Sequence, residues 1–256
     1  MTNNIGLPFF STFETYDDLE WQMSRAEKYC LIELLMNARP DIAIEIGTYQ
    51  GGSLQVLSKF SGEVYTIDVS EAPKKKLERR FENVSFIIGN SAEVLPQLFL
   101  DIERKGKKLE FIIVDGDHSK KGVSADLKAI LEYPHKNKLT VVLHDSFNPQ
   151  CRAGIKSIDY LKYKNVEYVE LDYITGSYWH NNTFREMWGG LALIKLNPDN
   201  NIPANINQSQ KKLHQKIYLH SAHLIKDKLQ FLSPVKKKIY KMIGRRHISE
   251  MYDSFD

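Results

Sequence analysis

The strongest constraint on the fold is a regular alternation of apolar runs with segments of helical periodicity. Because parallel strands need a long crossover between them, this alternation predicts a parallel sheet with helices on both faces. Two further strands, at 166–172 and 189–196, have no helix between them, so we expect them to pair antiparallel. The five predicted strand–helix units are 41–47 with 52–60, 63–68 with 72–81, 84–91 with 92–106, 109–118 with 122–133, and 139–146 with 153–163.

The predicted fold is therefore an α/β, Rossmann-like, doubly wound, mostly parallel seven-stranded sheet with an antiparallel terminal hairpin. A length of 256 residues with 42% hydrophobic residues suits one such domain with additions. We divide the chain into a helical N-terminal extension (1–40), the sheet domain (41–197), and a linker with a basic helical tail (198–256). A capping box, Ser24 with Glu27, begins the predicted helix of the extension.

The distribution of charge limits the partners. Residues 201–256 hold 11 Lys and Arg against 4 Asp and Glu, so the body of the chain is mildly acidic although the net charge is +3. A nucleic-acid-binding domain would have basic residues around its working site, so we expect no nucleic-acid partner. No apolar run approaches the ~20 residues of a membrane helix, and the first residues lack a signal-peptide pattern. The two cysteines lie far apart, which favours a reduced, cytoplasmic protein.

The tail is predicted to contain a helix at 210–232 and a basic amphipathic helix at 235–244. A helix of the second kind can lie on an anionic membrane or pack on a partner. Docking on its own domain or on a second copy is the favoured interpretation, and we expect a homo-oligomer.

A glycine-rich loop, EIGTYQGGS at 45–53, follows the first predicted strand. Glycine allows backbone to approach a ligand closely, and strand, Gly-rich turn and helix together usually begin a nucleotide-type site. Glu45 can accept a hydrogen bond from a cationic amine. Asp68 ends the second predicted strand, where a carboxylate can bind a vicinal diol. The glycine spacing departs from that of a dinucleotide site, which disfavours an NAD-dependent oxidoreductase.

Acids and histidines follow the fourth and fifth predicted strands. The set is Asp115, Asp117, His118, His144 and Asp145. Strand ends of an open α/β sheet face the ligand crevice, so these side chains can converge on one point. Asp115, Asp145 and His144 can hold a divalent ion, either Mg²⁺ or a softer ion such as Mn²⁺ or Zn²⁺. The alternative is no metal, with His144 as the general base. Asp117 and His118 are the other candidates for the base, and Asp117 can instead cap the following helix.

The motifs together resemble those of the class I S-adenosylmethionine-dependent methyltransferases. Within that class they are similar to the small-molecule O-methyltransferases grouped with the macrocin-type and cephalosporin-hydroxylase-like enzymes. The matching segments are EIGTYQGGS (45–53), TID (66–68), GNSAEVL (89–95), VDGDHSKKGVSADL (114–127), LHDS (143–146) and WGGLALI (188–194).

The resemblance implies S-adenosylmethionine as the cofactor and assigns residues to it. The loop would hold the amino-acid part, Asp68 the ribose hydroxyls, and Asn90 and Ser91 the adenine ring. The full set of expected cofactor residues is Glu45, Gly47, Thr48, Tyr49, Gly51, Gly52, Ser53, Asp68, Asn90, Ser91 and Asp115. Metal-dependent relatives usually carry two acids, or an acid and an amide, where this chain has His144 and Asp145.

The expected reaction is methyl transfer to a hydroxyl of a small molecule, with a sugar or glycosylated metabolite as the expected acceptor. The stretch 173–188, rich in Tyr, Trp, His and Asn, suits such an acceptor or else forms a packed loop. Arg152 either meets an anionic acceptor or projects into solvent. The alternative function is a non-catalytic binding module that keeps the fold, has lost the cofactor, and uses the tail to attach to a partner or membrane.

Overall fold

The computed structural model describes residues 19–180 and 185–227. The helices are α1 (Arg25–Ala38), α2 (Leu54–Phe60), α3 (Ala72–Leu77), α4 (Ser91–Arg104), α5 (Lys120–Glu132), α6 (Pro149–Lys156), α7 (Lys211–His220) and α8 (His223–Lys226), with a 3₁₀ turn at Tyr160–Lys162. The strands are β1 (Ile42–Ile46), β2 (Glu63–Asp68), β3 (Val84–Ile88), β4 (Leu109–Val114), β5 (Leu139–His144), β6 (Val166–Ile174), β7 (Ser177–His180), β8 (Arg185–Trp188), β9 (Leu191–Leu196) and β10 (Asn205–Asn207).

The main sheet has the order β10-β6-β9-β5-β4-β1-β2-β3. In the described part of the chain, β9 runs antiparallel to both of its neighbours, β5 and β6, and the other pairs are parallel. The predicted fold is confirmed, including the antiparallel terminal pair. The eighth strand, β10, lies in a polar, Asn-rich segment that the sequence predicts as a linker, and its three residues are exposed.

Each face of the sheet is covered by helices. Strand β1 shows the alternation: Ile42 and Ile44 pack on the side of α4, α5 and α6, whereas Ala43 packs on the side of α1 and α2. Because both faces are covered, all five residues of β1 are buried. The carboxyl ends of the parallel strands therefore meet at one edge of the sheet, where ligands bind in folds of this kind.

Three elements differ from the predictions. Within the stretch 173–188, strands β7 and β8 pair as an antiparallel ribbon. The helix predicted from residue 153 begins earlier, at Pro149, because the Asn148 side chain caps it. The helix predicted at 210–232 ends at His220, the last residue of α7. Beyond it, the Ala222 N–H donates to the Arg185 carbonyl over 2.7 Å. Residues 228–232 and the basic helix predicted at 235–244 lie outside the described residues.

Helix α1 begins with the predicted capping box. The Glu27 N–H donates to Ser24 Oγ over 3.3 Å, and the Ser24 N–H donates to Glu27 Oε2 over 2.5 Å. No helix among residues 19–180 and 185–227 combines the length and the apolar character needed to cross a membrane.

Candidate active site

The glycine loop packs directly against the end of β4. Gly47 has φ +90°, and a Cβ there would lie 2.1 Å from the Asp115 carbonyl oxygen, so only glycine fits. The third glycine has a different neighbour. A Cβ on Gly52 would lie 2.5 Å from the Glu20 carbonyl oxygen, so this position accommodates the segment that precedes α1. The close approach at these two glycines is therefore to the chain's own backbone.

Asp68 holds the loop at the end of β2. Its Oδ2 accepts from the N–H groups of Thr48 and Tyr49, at 3.0 and 3.2 Å, and its Oδ1 accepts from the Ser70 N–H at 2.8 Å. Tyr49 has φ +46°, a conformation that a non-glycine residue seldom adopts. The half-buried Asp68 carboxylate thus fixes the loop conformation. Its expected contact with ribose hydroxyls stays a prediction.

The ends of β2 and β3 present apolar surface next to that carboxylate. Val69 is 79% exposed and Ile88 is 44% exposed, and Ile88 pairs with Asp68 across the two strands. A carboxylate beside exposed aliphatic side chains suits a nucleoside, whose sugar offers hydroxyls and whose base offers an apolar face. These residues therefore fit an adenosine-containing cofactor.

Glu45 is completely buried at the end of β1. Its two carboxyl oxygens accept from Ser53 Oγ and Thr66 Oγ1, each over 2.6 Å. Burial raises the pKa of Glu45 to about 8, although the two hydroxyl bonds oppose that shift. Near neutral pH the group is therefore mainly uncharged. A direct bond to a ligand amine, which stays a prediction, would require these hydroxyls to give way.

Asn90 and Ser91 both have local partners at the start of α4. Asn90 is the N-cap, and its Oδ1 accepts from the Ala92 N–H over 3.1 Å. The Ser91 hydroxyl donates to Asp126 over 2.5 Å, and burial raises the pKa of Asp126 to about 6. The two side chains thus connect α4 to itself and to α5, and their contact with adenine stays a prediction.

Four of the predicted side chains converge at the ends of β4 and β5. This His–Asp cluster consists of Asp115, His118, His144 and Asp145. His144 Nδ1 lies 2.9 Å from Asp115 Oδ1, while His118 Nε2 lies 3.3 Å from the same oxygen and 3.0 Å from Asp145 Oδ2. Asp115, His144 and Asp145 each place a donor atom within 4.8 Å of the others, an arrangement that fits a divalent cation. The metal itself stays a prediction.

The charges of the cluster depend on one another. Burial alone would raise the pKa of Asp115, but His144 and His118 lower it to about 2. Burial alone would lower the pKa of His118, but the carboxylates of Asp115 and Asp145 raise it to about 10. The same two carboxylates hold the pKa of the buried His144 well above its usual value. At neutral pH the cluster is two imidazolium groups bonded to carboxylates.

Asp145 is held in an unusual conformation. It has φ +56° and is 5% exposed, and its Oδ1 accepts from the Gly189 N–H over 2.5 Å. Asp117 lies outside the cluster, because both of its oxygens accept from Ser119, from the N–H at 2.8 Å and the hydroxyl at 3.0 Å. The structure therefore separates these two acids, although the sequence puts both at strand ends.

Comparison with known proteins places this geometry in a class. Residues 44–146 match the model of a family described as a methyltransferase domain. The match covers 103 of the 256 residues, so this part of the chain is similar to a methyltransferase domain. The matched range begins in β1 and ends just after the Asp145 turn, so it includes the loop, Asp68 and the whole His–Asp cluster. No curated protein matches the sequence.

Three solved structures are similar to this chain at low sequence identity. Cofactor-bound Rv0187 from MTB is 18% identical, with 75% of this chain and 91% of that chain covered and a TM-score of 0.51. An O-methyltransferase from Bacillus cereus in complex with SAH is 17% identical, with coverages of 72% and 86% and a TM-score of 0.49. TomG, an O-methyltransferase from Streptomyces achromogenes in complex with SAM, is 16% identical, with coverages of 73% and 85% and a TM-score of 0.49.

Glu27, outside the matched range, reaches the His–Asp cluster from α1. It is 2% exposed, its Oε1 accepts from the Gly190 N–H, and the same oxygen lies 3.6 Å from His144 Nε2. Burial alone would raise the pKa of Glu27, but His144 and the Ser24 bonds lower it to about 2. The sequence gives no sign of this contact, because the capping box already accounts for a glutamate at this position.

The ribbon of β7 and β8 brings aromatic side chains to the other side of the cluster. The Trp188 ring lies edge-on to His118, with 6.0 Å between centroids, and Trp188 Nε1 donates to Glu186 over 2.7 Å. Helix α8 packs behind it, with the His223 ring 6.3 Å from Trp188. The ribbon thus borders His118, which is more exposed to solvent than His144.

Arg152 meets neither of the expectations for it. Its guanidinium is 4% exposed and donates to both oxygens of Asp172, over 2.7 and 3.0 Å. Asp172 also accepts from the Gln210 N–H at the start of α7. Arg152 is therefore a buried structural residue that joins α6, β6 and α7, and it is not available to an acceptor.

Proposed function

We propose that this chain transfers a methyl group from S-adenosylmethionine to a hydroxyl of a small molecule, with a sugar or glycosylated metabolite as the acceptor. One observation carries the proposal: the glycine loop and the His–Asp cluster are in contact, since Gly47 packs on the carbonyl of Asp115. A cofactor seated on the loop would therefore have its reactive end beside groups that can move a proton.

The cofactor residues are assigned from the fit at the strand ends. Asp68 would accept from ribose hydroxyls, and Val69 and Ile88 would contact the base. When bound, S-adenosylmethionine supplies a methyl group from its sulfonium, and the rest of the cofactor leaves as a neutral thioether. The protein has then to align the acceptor oxygen and remove its proton.

His118 is the favoured base. Its side chain is 43% exposed, whereas that of His144 is 7% exposed, so an acceptor hydroxyl can reach His118 more readily. Because its pKa is about 10, His118 must first lose a proton; with the remaining proton on Nε2, directed at Asp145 and Asp115, its Nδ1 would take the hydroxyl proton, and the two carboxylates would stabilise the resulting imidazolium. His144, buried between the carboxylates, is assigned the role of shaping the cluster.

A divalent cation fits the same arrangement. The high pKa of His118 keeps it protonated at neutral pH, and a positive ion among Asp115, Asp145 and His144 would compete with the imidazole protons. When bound, Mg²⁺ or Mn²⁺ supplies positive charge that lowers the pKa of a nearby hydroxyl. Histidine among the ligands favours the softer ion.

The acceptor is assigned to the side of the ribbon. Trp179 is 63% exposed, and Trp188 lies between it and the cluster along the ribbon, with Glu186 bonded to the Trp188 ring nitrogen. Exposed aromatic faces with a neighbouring carboxylate suit the CH surfaces and hydroxyls of a sugar. We also propose that the protein is a cytoplasmic homo-oligomer. Light scattering on the purified protein measures its oligomeric state.

The test begins with cofactor binding. S-adenosylhomocysteine at about 100 times its Kd should stabilise the fold by about 2.7 kcal/mol, whereas NAD should not. Hydroxylated acceptors, sugars first, are then screened with methyl-labelled cofactor, with chelator or with added Mg²⁺ or Mn²⁺. Stabilisation without transfer to any acceptor would contradict the proposed acceptor class. No stabilisation by S-adenosylhomocysteine would contradict the cofactor assignment itself and favour the non-catalytic binding module.

A further inference from the structure

We propose that Glu27, in the N-terminal helix, is a positioning residue that holds the His144 imidazole for the reaction. The inference rests on the proposed methyl transfer for its kinetic consequence, but not for its structural one. Glu27 lies 17 residues before the first residue of the matched methyltransferase range, so this role is specific to the part of the chain that precedes it.

The first observation is an unsatisfied ring nitrogen. His144 Nε2 is buried and has no hydrogen-bond partner among the described residues. Glu27 Oε1 lies 3.6 Å from it, so a movement of roughly 0.5 Å brings the pair to hydrogen-bond distance. A buried polar nitrogen without a partner costs free energy, and a carboxylate aimed at it is the group that would remove that cost.

The second observation is that capping alone does not explain Glu27. The capping box uses only Oε2, which accepts from the Ser24 N–H. The other oxygen, Oε1, accepts from the Gly190 N–H in the turn before β9. A Cβ on Gly189 would lie 2.7 Å from Oε1, so the turn leaves room for this carboxylate. A helix cap at the surface needs none of this burial.

The consequence is a fixed ring orientation. With the Nε2 proton directed at Glu27, the other nitrogen, Nδ1, faces Asp115 Oδ1 at 2.9 Å and lies 3.9 Å from Asp145 Oδ2. In buried histidines of this kind, the partner of one ring nitrogen decides what the other can do. Glu27 therefore keeps Nδ1 turned into the His–Asp cluster.

Two variants separate positioning from capping. Glu27→Gln keeps the shape and can still accept from Gly190 but carries no charge. Ser24→Ala removes the Ser24 side-chain half of the same capping box and does not contact His144. We expect Ser24→Ala to lower stability by about 1 kcal/mol and leave kcat within about twofold. We expect Glu27→Gln to lower kcat by about 10- to 100-fold while the KM for cofactor changes little.

A spectroscopic measurement tests the same proposal without any reaction. In histidine-labelled protein, a ¹H–¹⁵N ring signal that disappears in His144→Gln identifies His144. We expect its Nε2–H to be protected from exchange with water in the wild type and in Ser24→Ala, and to exchange about 10-fold faster or more in Glu27→Gln, because a neutral amide oxygen is a weaker acceptor than a carboxylate. A wild type without this protected signal, or equal loss of protection in Ser24→Ala and Glu27→Gln, would overturn the proposal. If the signals behave as expected but no acceptor is methylated, the proposed function fails and the positioning contact stands.

Discussion

The two halves of the site are built in different ways. In the cofactor half, the loop at 45–53 is held by Asp68, which is about 20 residues away and bonds to the backbone N–H groups of Thr48 and Tyr49. In the acceptor half, β4, β5, α1 and the turn before β9 each contribute, and the Glu27–Gly190 bond joins residues 163 positions apart. The hydrogen bonds that hold the loop therefore span about 20 residues, whereas those of the acceptor half span much longer stretches of the chain and need α1 in place.

The acids of the two halves also differ in their partners. Glu45 is bonded by two hydroxyls, and burial raises its pKa to about 8. Asp115 and Glu27 lie against imidazoles, which lower their pKa values to about 2 despite burial. The cofactor half therefore holds a neutral acid, and the acceptor half holds charges that support one another. We expect the cofactor half to respond to mutation in packing and affinity, and the acceptor half in rate.

The largest expected effect is on the stability of the cofactor half. Gly47→Ala would place a Cβ 2.1 Å from the Asp115 carbonyl oxygen at φ +90°, so we expect a loss of more than about 4 kcal/mol in the free energy of unfolding. Gly106→Ala is the matched control, because φ is +67° but no atom lies within 4 Å of its Cβ. It should cost only about 1 kcal/mol. Urea unfolding measures both, and equal losses would mean that backbone conformation, not contact with β4, makes Gly47 necessary.

The next effect is on the rate in the acceptor half. Asp145→Asn removes the charge beside His118 but tolerates positive φ and can still accept from the Gly189 N–H, so the fold should survive. We expect kcat to fall by about 100- to 1000-fold, with cofactor affinity little changed. Asp117→Asn is the control, since Asp117 is bonded to Ser119 outside the cluster. If Asp117→Asn loses as much activity, Asp117 is catalytic as the sequence alone allowed, and the cluster has been assigned wrongly.

The sequence predicts the framework of the site better than its supporting contacts. Apolar runs between helices predict a parallel sheet whose strand ends face one crevice, so the acids and histidines that end β4 and β5 are expected to meet. The sequence makes Asp117 and His118 equally plausible as the general base. Only the structure distinguishes them, because Asp117 bonds to Ser119 outside the cluster. Glu27 has one sequence signal, the capping box, and that signal describes only one of its two oxygens.

The aromatic ribbon shows a second limit. Strands β7 and β8 lack a clear alternation of apolar and polar residues, because the ribbon is not part of the main sheet and, among its described side chains, only Met187 is buried. Their pairing is supported by tertiary contacts, such as the bond from the Tyr178 hydroxyl to the His220 carbonyl. Patterns that arise from burial cannot predict a ribbon that is stabilised by a tail helix far along the chain.

A smaller effect is expected on cofactor affinity. Asp68→Ala removes a carboxylate that holds two loop N–H groups and is assigned to the ribose, so affinity should fall by roughly 2 to 3 kcal/mol, or about 30- to 150-fold. Glu71→Ala is the control, because this exposed acid in the same segment bonds only to Lys75 among the contacts described for it. Calorimetry with S-adenosylhomocysteine measures both. Unchanged affinity in folded Asp68→Ala would remove Asp68 from the site.

The smallest expected effect on cofactor binding is that of Glu45, whose effect on stability depends on pH. Its pKa is about 8 in the folded protein and about 4.5 when exposed, so between these values the folded state binds a proton that the unfolded state has lost. Stability of the wild type should therefore fall as pH rises through this range, by up to about 1.4 kcal/mol per pH unit from this one group. Glu45→Gln lacks the titration, so its stability relative to the wild type should rise from pH 4.5 to 8 and then level off.

The same variant tests whether Glu45 binds the cofactor amine. Because the Glu45 carboxyl is neutral and bonded to Ser53 and Thr66, we expect Glu45→Gln to bind S-adenosylhomocysteine within about threefold of the wild type. If Glu45 made an ionic bond to the amine, the variant would lose about 10-fold or more in affinity. Parallel stability curves would mean that Glu45 is charged in the folded state, and the contrast between a neutral acid in the cofactor half and mutually supporting charges in the acceptor half would then fail.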